Sequence, residues 1–107
     1  MTDFSLAAAG APVRSTLADD SDFAGLLVLF AETLPEKREL ARALQREGTF
    51  EQLRVWAHQL KGAGGGYGFP GLSDAAAELE LSCQSADADR ITQAVDRVVD
   101  LLNRIEV

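Results

Sequence analysis

The apolar positions of this chain recur at three- and four-residue intervals almost throughout, which is the period of helices that bury one face. Phe23, Leu26, Leu27, Phe30 and Leu34 begin the pattern, which continues through Lys37, Leu40, Ala41 and Leu44 toward Gly48. Pro35 interrupts it. Thr33 followed by Glu36 has the form of a capping box, so the segment is either one helix kinked near Pro35 or two helices in series. The acidic cluster Asp19, Asp20, Ser21, Asp22 offers N-caps for the first long helix, and its charge suits the helix dipole. Thr49 with Gln52 makes a second capping-box pattern, opening a helix that contains Leu53, Trp56, Ala57 and Leu60. Beyond a glycine-rich stretch and Pro70–Gly71, Leu72, Ala75, Ala76, Leu79 and Cys83 mark the buried face of another helix. Asp87 or Asp89 caps a last one, whose seam is Ile91, Ala94 or Val95, Val98, Leu102 and Ile105. Its polar face is Asp96, Arg97, Asp100 and Arg104.

No stretch alternates with period two between hairpin turns, so the expected fold class is all-α: an antiparallel up-down four-helix bundle with a short N-terminal arm or helix. Residues 1–14 combine Ala, Gly and Pro12 without a sustained period and read as a loosely ordered arm. Residues 15–107 form the helical domain, with a short helical turn at Ser15–Asp19. A length of 107 residues suffices for one core and is too short for two ordinary domains.

Composition narrows the function. Apolar residues make up 47% and charged residues 25% of the chain, as in a soluble globular protein. Ten basic against 17 acidic residues give a formal charge of -7, and no basic stripe offsets it, which argues against nucleic acid and anionic membranes as partners. The N-terminus lacks the basic segment of a secretory signal, and no apolar run reaches membrane-spanning length, so a cytoplasmic location is expected. Cys83 has no partner for an internal disulfide and no metal-ligand spacing around it, and reads as a buried thiol in a reducing compartment.

The chemistry concentrates around His58. On a helical wheel Leu53, Trp56, Leu60, Ala63 and Tyr67 fall opposite it, so His58 faces out. A lone histidine is ordinarily a satisfied core residue or a plain surface one. Here Glu51, Arg54, Val55, Lys61, Gly62 and Gly65 share its side, and one turn C-terminal to the imidazole the surface is stripped of bulk. A glycine inside a helix costs about 1 kcal/mol relative to alanine, and close approach of a partner is a reason to accept that cost at Gly62 and Gly65. Lys61 sits where its ammonium can offset the charge of a phosphoryl group on the ring, with Arg54 one turn the other way. Val55 adds a small apolar patch, and Gln59 borders it. An exposed imidazole has a pKa of about 6.5 and needs no activating base at neutral pH. Nothing on the chain binds ATP or Mg²⁺ in a recognisable pattern, so stabilisation of a transferring group has to come from a partner.

The string AHQLKGAGGGYGF resembles the signature of the histidine-containing phosphotransfer (HPt) family, in which Ala-His-x-Leu-Lys-Gly is followed by small residues and a later Leu-Glu pair. The matching residues are Ala57, His58, Leu60, Lys61, Gly62 and Gly68, then Leu79 and Glu80, with Phe30, Pro35, Leu40, Ala43, Leu44 and Gly48 upstream. The resemblance covers about residues 17 to 105. It implies a four-helix bundle and phosphorylation of His58 on the ring nitrogen distal to the backbone. It also implies exchange with the aspartate of a response-regulator receiver domain, including that of a hybrid histidine kinase. The receiver then supplies the Mg²⁺, and this chain, a monomeric carrier rather than an autonomous enzyme, needs no cofactor or metal of its own. A non-phosphorylated scaffold that binds receivers or other partners is the alternative.

The run Gly64–Gly66 departs from the family pattern, in which Ala or Ser is usual, and weakens the helix just past the active turn. A phosphate-binding loop lacks its Gly-Lys-Ser/Thr continuation here. A kinase dimerisation helix follows its histidine with an acidic residue and then proline, where this chain has Gln59 and Gly62. A metal-binding bundle needs an inward Glu-x-x-His, whereas Val55 occupies the Glu position.

Overall fold

The computed structural model describes residues 11–107. In chain order the elements are β1 (Val13–Arg14), α1 (Ser21–Glu32), α2 (Leu34–Glu47), α3 (Phe50–Gly66), α4 (Pro70–Ser85), α5 (Ala88–Arg104) and β2 (Ile105–Glu106). Helices α2, α3, α4 and α5 form a ring of neighbours, each packing on the next and α5 returning to α2. The core they enclose includes Ala41, Leu53, Ala57, Leu72, Ala76, Leu79, Ile91, Val95 and Val98, all essentially inaccessible to solvent. These are the positions that the three- and four-residue spacing selects.

The capping residues divide into those that act as expected and those that do not. Asp20 caps α1 by accepting from the Asp22 amide at 2.9 Å, and Asp87 caps α5 by accepting from Asp89 and Arg90. Gly48 closes α2 in the left-handed conformation, with φ of 71°. Neither expected capping box forms. Thr33 has helical dihedrals rather than the extended ones an N-cap needs, and its hydroxyl donates back to Phe30 O at 2.6 Å. Thr49 likewise donates to Leu44 O, serving the end of α2 instead of the start of α3. The chain around Pro35 is therefore two helices in series, broken at Thr33, with Pro35 in the first turn of α2 where its missing N–H is no loss.

Ile105 leaves the seam expected for the last helix. It pairs with Val13 in a two-residue parallel ladder, β1 on β2, too short to show any alternation in sequence. Met1 to Gly10, most of the expected arm, lie outside the described residues. From β1 the chain reaches the turn between α3 and α4: Ser15 Oγ donates to Tyr67 O at 2.6 Å and Thr16 N to Gly68 O at 2.8 Å. Consecutive turns then span 16–19, in place of the short helical turn expected there. Gly68 has φ of 84°, and a Cβ on it would lie 2.5 Å from Ser15 Oγ, so backbone conformation and close approach both demand glycine. Phe30 of α1 stacks on Tyr67 and Phe69 of the same turn, with ring centroids 4.7 and 5.6 Å apart.

The glycine run does not end α3, which stays helical through Gly66. Gly64 is buried, and a Cβ there would meet Ser73 N at 3.0 Å, Ser73 Cα at 3.3 Å and Phe69 O at 3.4 Å, all main-chain atoms of α4 and its approach. The packing of α4 against Gly64 thus offsets the poor helix propensity of the run. Gly66 has open space around its Cβ position. Gly64→Ala is expected to destabilise the protein by about 1–3 kcal/mol, because main-chain atoms have to separate. Gly66→Ala should be neutral or stabilising by up to about 1 kcal/mol. Denaturant unfolding of the two variants checks the contrast, and equal effects would contradict it.

Candidate functional site

His58 lies midway along α3 with its side chain 62% exposed, directed away from the core that Leu53, Ala57 and Leu60 enter from the same helix. Across from it, α4 contributes Glu80, whose side chain is only 15% exposed. Glu80 Oε2 lies 3.0 Å from His58 Nδ1, Oε1 lies 3.3 Å from Lys61 Nζ, and Arg54 Nη1 stands 3.9 Å from Oε2. One carboxylate therefore gathers the imidazole and the two cations that the wheel places on its face. Arg54 is further held by Glu51, which accepts from Nε at 3.1 Å and from Nη2 at 2.6 Å.

A carboxylate can only accept, so in the neutral ring Nδ1 carries the hydrogen and Nε2 keeps its lone pair. No hydrogen bond to Nε2 occurs among the described residues. The arrangement thus presents the ring nitrogen distal to the backbone as a nucleophile, with an ammonium and a guanidinium at hand for an arriving anion. Burial pushes the Glu80 carboxyl up, but hydrogen bonds from Lys61 and His58, with the charges of both, outweigh it and hold the pKa below the ordinary value.

The remaining expected site residues line the surface around this cluster. Gly62 has open space around its Cβ position, and Gly65 meets only Ser73 Oγ at 3.8 Å, so a cleared strip runs from His58 toward the end of α3. Because α3 is helical to Gly66, the placement of Gly65 on this side holds. Val55 is exposed beside Arg54. Gln59 lies at the other border, where it lines a groove of about 360 Å³ between α2 and α3 with Lys37, Leu40, Trp56, Leu60 and Ala63. Trp56, expected in the core, is half-buried and forms part of that groove. Cys83 is buried one turn beyond Glu80, and burial pushes its thiol up, away from reactivity. Among the described residues no three His, Cys, Asp or Glu side chains gather into a metal-binding group, and no helix is long and apolar enough to cross a membrane.

Glu80 is the residue whose part in the site is missed by reading α3 alone. Its signal is present in sequence only as the second half of the Leu79–Glu80 pair. The spacing Leu72, Ala75, Ala76, Leu79, Cys83 shows which face of α4 is buried, and Glu80 borders that face.

The site is thus an imidazole directed outward from the helices with its Nδ1 partnered by Glu80, beside a lysine one turn on. The chain belongs to the Hpt domain family, whose model matches residues 25–107. Membership implies a phosphotransfer role in two-component signalling, the common activity of Hpt domains. No curated protein and no solved structure matches it.

The depressed pKa of Glu80 has a thermodynamic consequence. Its folded value lies below the unfolded one, so its stabilisation is complete above the ordinary glutamate value of about 4.3 and is lost as pH falls through the folded-state value. The thermal midpoint of the wild type should exceed that of Glu80→Gln at neutral pH, with the gap closing on the acid side. A gap that stays constant into acid would show that Glu80 is not the titrating group.

Proposed function

We propose that His58 is the phosphoacceptor of a phosphorelay intermediate built on an antiparallel bundle of α2 to α5. It takes a phosphoryl group from the aspartyl phosphate of one receiver domain and passes it to the aspartate of another. The observation that carries this reading is the 3.0 Å contact between His58 Nδ1 and Glu80, which leaves Nε2 as the free nucleophile.

In the forward step Nε2 bonds to phosphorus as the bond to the aspartyl oxygen breaks, and the electron pair of that bond returns to the receiver carboxylate. The ring leaves the step as a phosphorylated imidazolium with its proton on Nδ1. Glu80, already hydrogen-bonded to that proton, stabilises the positive charge as it develops, and Lys61 approaches the phosphoryl oxygens. The receiver brings the Mg²⁺ and the catalytic carboxylates. Reversal of the step against a second receiver discharges the carrier.

Docking is supported by the strip at Gly62 and Gly65 and by the borders at Val55, Arg54 and Gln59. The groove beside Gln59 adds an apolar floor of Leu40, Leu60 and Ala63, which suits a docking helix of a receiver.

Incubation with a phosphorylated receiver domain is expected to label the protein through an acid-labile, base-stable linkage, as phosphoramidates behave. His58→Gln should abolish the label, and undiminished labelling of that variant sinks the assignment. Gly62→Gln should slow transfer by more than about tenfold through bulk placed beside the imidazole, while the helical circular-dichroism signal persists. Unchanged transfer by it would remove Gly62 from the docking strip.

A further inference from the structure

Helical serines and threonines ordinarily turn their hydroxyls back onto their own helix, bonding the carbonyl three or four residues earlier. Ser82, Ser85 and Thr92 do so here, donating to Glu78 O, Ser82 O and Ala88 O. Ser73 does not. It sits in the first turn of α4, where its amide donates to Phe69 O at 3.0 Å, yet its hydroxyl crosses to α3 and donates to Lys61 O at 2.9 Å.

The target carbonyl is the one whose intrahelical donor is the amide of Gly65. It therefore lies at the entrance of the glycine run, the weakest part of α3. Ser73 main-chain atoms are also those that a Cβ at Gly64 would strike, and Ser73 Oγ is the nearest atom to a Cβ at Gly65. One residue thus holds both the buried and the exposed side of Gly64–Gly65.

We infer that Ser73 is a positioning residue for phosphotransfer: by bonding Lys61 O it keeps the glycine run helical against α4 and keeps Lys61 and the Gly62–Gly65 strip in register with His58. The inference rests on the reading of His58 as phosphoacceptor. Glycine at 62, 64 and 65 clears space for a partner outside and for α4 inside, but it removes the side chains that would otherwise stiffen the helix. Ser73 returns that stiffness from the neighbouring helix without occupying the cleared face. It touches neither phosphoryl group nor imidazole, so its effect is on how well a receiver finds an ordered surface.

The test compares Ser73→Ala and Ser73→Thr with the wild type by amide hydrogen exchange and by transfer from a phosphorylated receiver over a range of protein concentrations. Ser73→Ala should exchange faster at Gly65 and Gly66 while Leu53 to Ala57 keep their protection. Its transfer efficiency at limiting concentration should fall about three- to tenfold, the worth of one partly buried hydrogen bond, with a smaller loss at saturation. Ser73→Thr, which keeps the hydroxyl, should restore both readouts. A labelled wild type matched by Ser73→Ala would overturn the role of Ser73, as would a slow Ser73→Ala that Ser73→Thr fails to rescue. A wild type that takes no label would instead remove the phosphotransfer reading and this inference together, even with the exchange difference intact.

Discussion

The close packing of α3 on α4 is the constraint on which the rest depends. Gly64 lets the main chain at Ser73 approach, and Ala57 of α3 with Ala75, Ala76 and Leu79 of α4 are all buried. At that separation Glu80 reaches across to His58 and Lys61, its two oxygens serving different partners.

The site in turn separates an exposed group from a sheltered one. The acid is mostly covered while the imidazole stands out, so the ring is exposed and the group that orients it is sheltered. Arg54 and Lys61 are each paired with an acid of the same fold, which limits the net charge of the face they share with His58.

Much of this is legible in sequence because helices write their burial in a three- and four-residue code. The outward direction of His58 follows from Leu53, Ala57 and Leu60, and the caps at Asp20 and Asp87 follow from residue type and place. Three features escape the code for identifiable reasons. Thr33 and Thr49 have the residue types of caps, but a hydroxyl can serve the preceding carbonyl as readily as the following amide, and the backbone at each position decides between them. The glycine run looks like a helix end by propensity, whereas its helicity is supplied by α4, a tertiary effect that no local window contains. Glu80 meets His58 across 22 residues and two helices, so periodicity can show that each borders its own buried face but not that the two borders coincide.

The arm ahead of α1 bears on where the folding unit begins. The family match starts at residue 25, inside α1, yet Ser15 and Thr16 serve the carbonyls of Tyr67 and Gly68, and Val13 pairs with Ile105. A gene trimmed to the family boundary would behead α1, discard its Asp20 cap and strand two carbonyls at the turn that closes the site helix. The packed body therefore extends beyond the family match, and a boundary drawn upstream of Val13 keeps every one of these contacts.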